Sequence, residues 1–316
     1  MKRTSPRTPL LIANEFHSET VAKLDNLFET YKLWQLTEAD QHELIKQIKN
    51  HCKAVATASW QTSPLIYQLP NLEIISCFGV GVDGIDFSTT RPRQISVTNT
   101  PTVLNDAVAD IAMALILATQ RDLVKADHYV RSGSWIEGAF PLGRSLAGQT
   151  LGIVGLGSIG EDIALRAQTF KLQIAYHNRH RKNVPYQYYP DLESLCENVD
   201  ILLCMLPGGA ETENVIDIKI LTALGPNGTF INVGRGTSVN EDDLIKALQS
   251  GVISRAGLDV YRNEPRIRDE LLSLNNVVLL PHIGSATVET RTAMGNLVVE
   301  NLLAWESGEP LKTAVE

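Results

Sequence analysis

The sequence predicts an α/β protein with two doubly wound parallel-sheet domains. Three observations predict it. Short apolar runs alternate with amphipathic stretches along the whole chain, six of those runs recur within one long segment, and the pattern turns helical again after Pro281. Runs of this kind separated by helical patterns are the signature of βαβ units, and such units build parallel sheets. The 316 residues are long for one domain and comfortable for two, and an apolar content of 44% suits chains that bury cores.

Taken in order, the first set of strand candidates is "LLIAN" (10–14), "AVATAS" (54–59), "LEIISCF" (72–78) and "ISVTN" (95–99), with the helical pattern "EADQHELIKQIKNHC" at 38–52. A long helical stretch then runs from Thr102 to about Arg121, with Asp106 and Asp110 on one face. The polar segment "RDLVKADHYVRSGSWIEGAFPLGRSLAG" lacks the compact alternation around it and reads as an arm over about 122–147. The second set is "TLGIVGLG" (150–157), "QIAYHN" (173–178), "DILLCMLP" (200–207), "GTFINVG" (228–234), "AGLDV" (256–260) and "NVVLLPH" (276–282). Six strands separated by helices match a doubly wound sheet. The last helix is free to return to the first domain. The expected layout is therefore one domain from 1–100 plus 287–316 and another from 101–286, with a ligand cleft between them.

Composition narrows the function. A net charge of −8 disfavours nucleic acid or an acidic membrane as partner. The longest oily run, "IAMALILA" (111–118), is far short of a membrane span, and the basic start carries too short an apolar run for a signal peptide. Cys52, Cys77, Cys196 and Cys204 have neither metal-ligand nor redox spacing, so they read as reduced, mostly buried thiols of a cytoplasmic protein without a metal.

"GLGSIG" (Gly155, Gly157, Gly160) directly follows a predicted strand and opens a helix, the context in which G-x-G-x-x-G binds a dinucleotide. Gly155 permits the tight turn, Gly157 lets the backbone approach a pyrophosphate, and Gly160 lets helix pack on strand. The helix N-terminus offers free N–H groups and a positive dipole end. A purely structural turn is the plainer alternative, weakened by this context. At the end of the next strand, where an acid usually binds the ribose diol of NAD, stands Asn178, followed by Arg179, His180, Arg181 and Lys182. Asn removes the repulsion of a 2′-phosphate, and Arg179 can meet that phosphate with a two-pronged, charge-assisted bond. A solvated basic loop is the competing explanation. NADP(H) is the preferred cofactor on this reading, with NAD(H) second.

Three further segments fall at the C-terminal ends of late strands, where doubly wound folds place their chemistry. "NVGRG" carries Arg235, "LDVYRNEP" carries Asp259 and Glu264, and "LLPHIGSAT" carries His282. Each alone has an ordinary structural explanation; together at strand ends of one domain they do not.

With these motifs in hand, the chain resembles the D-isomer-specific 2-hydroxyacid dehydrogenase family over essentially its whole length. The resemblance is carried by "FGVGVDGID" (78–86), "NTP" (99–101), "VADIAMALILA" (108–118), "GLGSIG", "INVGRG", "AGLDV", "NEP" and "LLPHIGSAT". "YVRSGSW" and the small polar residue followed by Arg after the second strand are similar to the hydroxypyruvate and hydroxyphenylpyruvate reductase branch. The resemblance implies a flavodoxin-like substrate domain beside a Rossmann domain, and a homodimer joined through 122–147. It also implies Ser158, Ile159, Pro207, Val233, Gly234, Asp259, His282 and Gly284 as further cofactor positions, Asp259 at the carboxamide, and Ser285 at the substrate.

The chemistry fits. Reducing a 2-oxo acid needs a hydride at C2, a proton for the carbonyl oxygen and a clamp for the carboxylate. His282 is the natural proton donor, and Glu264 can hold its ring and favour the charged form. Arg235 offers a planar fork to the carboxylate and the developing oxyanion. The backbone amides around Val80 and Gly81 can bind the carboxylate's far side.

Sibling activities are weighed on the same residues. Formate dehydrogenases of the superfamily carry Gln where Glu264 stands, and a phosphoglycerate dehydrogenase should show cations in "ATASWQTS" (56–63), which has none. A dinucleotide-sensing corepressor on the same fold is the alternative outside catalysis. The expected substrates are small 2-oxo acids: glyoxylate, hydroxypyruvate, phenylpyruvate or 2-ketogluconate. Trp60 and Trp135 are the aromatic candidates near them.

Overall fold

The computed structural model describes residues 6–58 and 62–315, so Trp60 and the middle of the 56–63 stretch lie outside the described residues. The chain divides into two compact units, Met1–Leu104 with Thr287–Glu316, and Asn105–Ala286.

In the first unit the strands are β1 (Pro9–Ile12), β2 (Glu29–Lys32), β3 (Ala54–Thr57), β4 (Ile74–Cys77) and β5 (Ser96–Thr98). They form a parallel sheet in the order β2-β1-β3-β4-β5, the flavodoxin-like arrangement. β3 and β4 are buried along their whole length, as strands covered on both faces must be. Leu11, Val55, Ile75 and Val97 join Ile45 and Ile48 of the helix Glu38–Ile48 in one core. Thr37 caps that helix by accepting from the Asp40 N–H. β2 was not legible in the sequence: "ETYK" is a polar edge strand with no apolar run to mark it. The helix Val288–Ser307 also belongs to this unit, capped by Thr287 and stopped at Gly308.

The second unit holds β6 (Thr150–Val154), β7 (Gln173–His177), β8 (Gln187–Tyr188), β9 (Ile201–Cys204), β10 (Thr229–Asn232), β11 (Arg255–Leu258) and β12 (Val277–Leu279). All six strands expected there form, and the two-residue β8 adds an edge. The parallel order β12-β11-β10-β9-β6-β7-β8 is the Rossmann arrangement extended by one strand. The chain steps from β8 back to β9 beside β6, so the order reverses between β6 and β9, which places a ligand crevice at their C-terminal ends. Leu202, Leu221, Phe230, Leu244 and Leu258 fill one core of this unit. Each such side chain, fully buried, is worth roughly 1.5–3 kcal/mol.

The helix expected from Thr102 begins instead at Asn105 and runs to Gln120, because Thr102 is left-handed at φ 67°. Within the arm, Leu123–Arg131 is helical with no buried residue, and Trp135, Ile136 and Leu142 are exposed. Among the described residues no helix is long and apolar enough to cross a membrane.

Candidate active site

β6 runs straight into Gly155, whose φ of 90° makes the turn that an L side chain would resist. Gly157 is the N-cap of the helix Ser158–Thr169 and faces open space, while Gly160 packs that helix onto the Gly155 carbonyl. Ser158, Ile159 and Gly160 thus occupy the first turn, where N–H groups lack intrahelical partners. Beside the turn lies a pocket of about 860 Å³, walled by Gly155–Gly157, by His177–His180 and Lys182 at the end of β7, and by Met205–Thr212, including Pro207, after β9. Its dimensions and its helix N-terminus fit a dinucleotide. Val233 and Gly234 directly follow β10, and Gly234 sits tight against the Leu206 backbone of the same wall.

Asn178 has a second job that its position alone did not disclose. Its Oδ1 accepts from the Leu156 N–H at 2.6 Å and its Nδ2 donates to the Leu156 carbonyl at 3.1 Å, clasping the glycine turn to the end of β7. Arg179 donates to Glu211 at 2.9 Å, both side chains largely in solvent. His180 lines the pocket, and Lys182 pairs with Glu161. Two acids remote in sequence therefore answer two of the cations in the basic loop.

The strand ends of β10, β11 and β12 carry the titratable groups. His282 follows β12 with φ 53°, a conformation uncommon for a residue with a side chain. Its Nδ1 lies 2.6 Å from Glu264 Oε2, and Glu264 Oε1 accepts from the Tyr261 N–H at 2.9 Å. Burial pushes the Glu264 carboxyl up, but the bond to His282 and its charge, the Tyr261 N–H and the Arg235 charge together hold it below the ordinary carboxylate range. Arg235 enters a short turn, with its carbonyl accepting from Asn232 and Ser238 and its Nη1 donating to the Gly234 carbonyl at 3.0 Å. A Cβ on Gly236 would overlap the Tyr261 carbonyl, so glycine there lets the Arg235 loop approach the loop of Glu264.

Asp259, at the end of β11, is buried. Its Oδ1 accepts from the Ile283 N–H and its Oδ2 from the Gly284 N–H, both at 2.8 Å. Burial raises its carboxyl against those two bonds. The residue expected at the carboxamide is thus tied to the backbone just after His282. Ser285 lies in the turn after Gly284. In the other unit, Val80 and Gly81 lie in the loop after β4.

The model of the "D-isomer specific 2-hydroxyacid dehydrogenase, NAD binding domain" matches residues 113–284. The chain belongs to the D-isomer-specific 2-hydroxyacid dehydrogenase family. It is 45% identical over 296 residues to glyoxylate/hydroxypyruvate reductase A of Arabidopsis thaliana, covering 93% of this chain and 94% of that one. It is 44% identical over 299 residues to the hydroxyphenylpyruvate reductase of Plectranthus scutellarioides, with the same coverage of 93% and 94%. Its fold is similar to that of the NADPH-dependent glyoxylate/hydroxypyruvate reductase of Sinorhizobium meliloti in complex with NADP and malonate. The TM-score there is 0.90 and the identity 42%, over 98% of this chain and 97% of that one. This 2-hydroxyacid dehydrogenase is therefore an NAD(P)-dependent oxidoreductase working between 2-hydroxy acids and 2-oxo acids. The corepressor alternative finds no support in these relatives, each named as a reductase.

Proposed function

We propose that this enzyme reduces small 2-oxo acids to D-2-hydroxy acids with NADPH in preference to NADH. The observation that carries the chemistry is the 2.6 Å pair of His282 and Glu264. When bound, the cofactor supplies a hydride to the carbonyl carbon. His282 gives its proton to the carbonyl oxygen, and Glu264 orients the ring and stabilises its charged form. Arg235 holds the substrate carboxylate and the developing oxyanion in its planar fork. Val80 and Gly81 offer backbone N–H groups to the carboxylate, and Ser285 contacts the substrate.

Asn178 and Arg179 support the cofactor preference, since the residue following β7 is an amide rather than an acid and the Arg179 guanidinium, paired with Glu211, lines the pocket there. The Arabidopsis and Plectranthus relatives are named for glyoxylate, hydroxypyruvate and hydroxyphenylpyruvate, and another at 44% identity is a 2-ketogluconate reductase of Gluconobacter oxydans. Glyoxylate and hydroxypyruvate are the substrates we propose, with phenylpyruvate and 2-ketogluconate next. The exposed Trp135, Ile136 and Leu142 suit burial against a second copy, and we place the enzyme as a cytoplasmic homodimer; its four cysteines are free and buried, as in a reducing compartment.

A spectrophotometric panel of 2-oxo acids with NADPH and NADH tests the reaction. Turnover of glyoxylate or hydroxypyruvate, faster per molar of NADPH than of NADH, is the expected result; equal use of both cofactors overturns the preference. Light scattering during gel filtration tests the dimer.

A further inference from the structure

The loop after β4 and the "NTP" motif after β5 are joined by a set of hydrogen bonds that neither the hydride transfer nor the proton transfer uses. Thr100 brackets Gly79: its backbone N–H donates to the Gly79 carbonyl at 2.9 Å, and its Oγ1 accepts from the Gly79 N–H at 3.0 Å. Asn99 Nδ2 donates to the Val80 carbonyl at 2.8 Å. The Gly79 carbonyl shares a planar peptide with the Val80 N–H, and the Val80 carbonyl shares one with the Gly81 N–H. Both peptides therefore accept a bond at oxygen, while neither the Val80 nor the Gly81 N–H donates to another described residue. A hydrogen bond to a peptide oxygen polarises that peptide and strengthens its N–H as a donor. It also fixes the direction in which the N–H points.

Asn99 and Thr100 are themselves held from behind. The Asn99 N–H donates to the Thr313 carbonyl at 3.3 Å, and Thr313 Oγ1 donates to the Asn99 carbonyl at 2.6 Å. Buried Asn301, on the helix Val288–Ser307, donates from Nδ2 to Thr313 Oγ1 at 2.8 Å and accepts from the Lys312 and Thr313 N–H groups. Thr98 bridges Ala314 in antiparallel fashion, and the Val315 N–H donates to the Val97 carbonyl. Residues 312–315 thus form a strap along β5, pinned by Asn301.

We propose that Asn99 and Thr100 are positioning residues for the substrate carboxylate, acting through the Gly79–Val80 and Val80–Gly81 peptides, with the 312–315 strap holding them in register. The proposal rests on Val80 and Gly81 being the carboxylate donors of the proposed reaction.

The test compares wild type, Asn99→Ala, Asn99→Asp and Thr313→Val with glyoxylate, its uncharged methyl ester, and oxalate as an inhibitor. Asn99→Ala should raise the KM for glyoxylate and the inhibition constant of oxalate about five- to twentyfold, the scale of one lost hydrogen bond near a charge. The KM for NADPH should stay unchanged and kcat/KM for the ester should fall less than twofold, which general structural damage would not produce. Asn99→Asp, with an anion in place of the donor, should be worse than Ala. Thr313→Val leaves Asn99 in place and should shift oxalate in the same direction by about two- to threefold. The proposal is overturned if Asn99→Ala and Thr313→Val leave glyoxylate and oxalate within twofold of wild type, or if acid and ester suffer equally. A wild type that reduces no 2-oxo acid would remove the proposed reaction instead. The positioning role would then be judged by calorimetric titration of oxalate, where equal affinity of wild type and Asn99→Ala overturns it.

Discussion

His282 Nδ1 and Glu264 Oε2 meet at 2.6 Å, with the second carboxylate oxygen held by the Tyr261 N–H. In the proposed reaction this carboxylate holds the ring that gives its proton to the carbonyl oxygen. Glu264→Gln keeps the shape and a hydrogen bond but removes the charge. Reduction of 2-oxo acids by Glu264→Gln should fall in kcat by about tenfold or more, with the KM for NADPH nearly unchanged. His282→Ala should lose turnover by about a hundredfold to ten-thousandfold. Steady-state kinetics of both variants decide: an unaltered kcat in Glu264→Gln means that the carboxylate does not serve the ring, and an unaltered kcat in His282→Ala means that another group supplies the proton.

The same pair sets a stability dependence. The Glu264 carboxyl is held below its ordinary 4.5, so its contribution to stability is complete above that value and is lost as pH falls through the folded value. The melting-temperature difference between wild type and Glu264→Gln should therefore shrink as pH falls through the acid range. A difference that grows on acidification would contradict the sign.

Arg235→Lys keeps a charge but loses the planar fork, so it should lower kcat/KM for 2-oxo acids by about tenfold or more, and Arg235→Ala further. NADPH binding followed by fluorescence should barely change. Near wild-type turnover by Arg235→Lys would rule out the two-pronged clamp.

Arg179→Ala should raise the KM for NADPH about ten- to a hundredfold and leave that for NADH nearly unchanged. Glu211 competes for the same guanidinium, so Glu211→Gln should improve NADPH binding by about two- to fivefold, a modest gain because exposed ion pairs are weak. Asn178→Asp should move preference toward NADH at a cost to both cofactors. A carboxylate there must set one oxygen against the Leu156 carbonyl that Asn178 Nδ2 now donates to. A variant binding NADH better than wild type binds it would show that the clasp is dispensable.

Asp259→Asn replaces one acceptor with a donor facing the Ile283 or Gly284 N–H. The backbone after His282 should loosen, and kcat should fall about tenfold to a hundredfold. Melting temperature and kcat measured together test this. Loss of cofactor affinity with kcat intact would return Asp259 to a carboxamide role.

The sequence by itself determined the two parallel sheets, the glycine turn and the strand ends bearing Arg235, Glu264 and His282. These features are written locally. A buried strand needs an unbroken apolar run, a phosphate turn needs glycines at set spacing, and the loop leaving a parallel strand emerges at the end of the sheet where the chemistry lies. β2 and β8 escaped because an edge strand facing solvent needs no apolar run. Only the tertiary structure decided what each polar side chain binds. Asn178 holds Leu156, Arg179 meets Glu211, Asp259 grips the backbone after His282, and Asn99 joins Val80 to Thr313. Hydrogen bonds act over about 3 Å and are indifferent to sequence separation, so a partner 214 residues away is set by how the loops and helices pack.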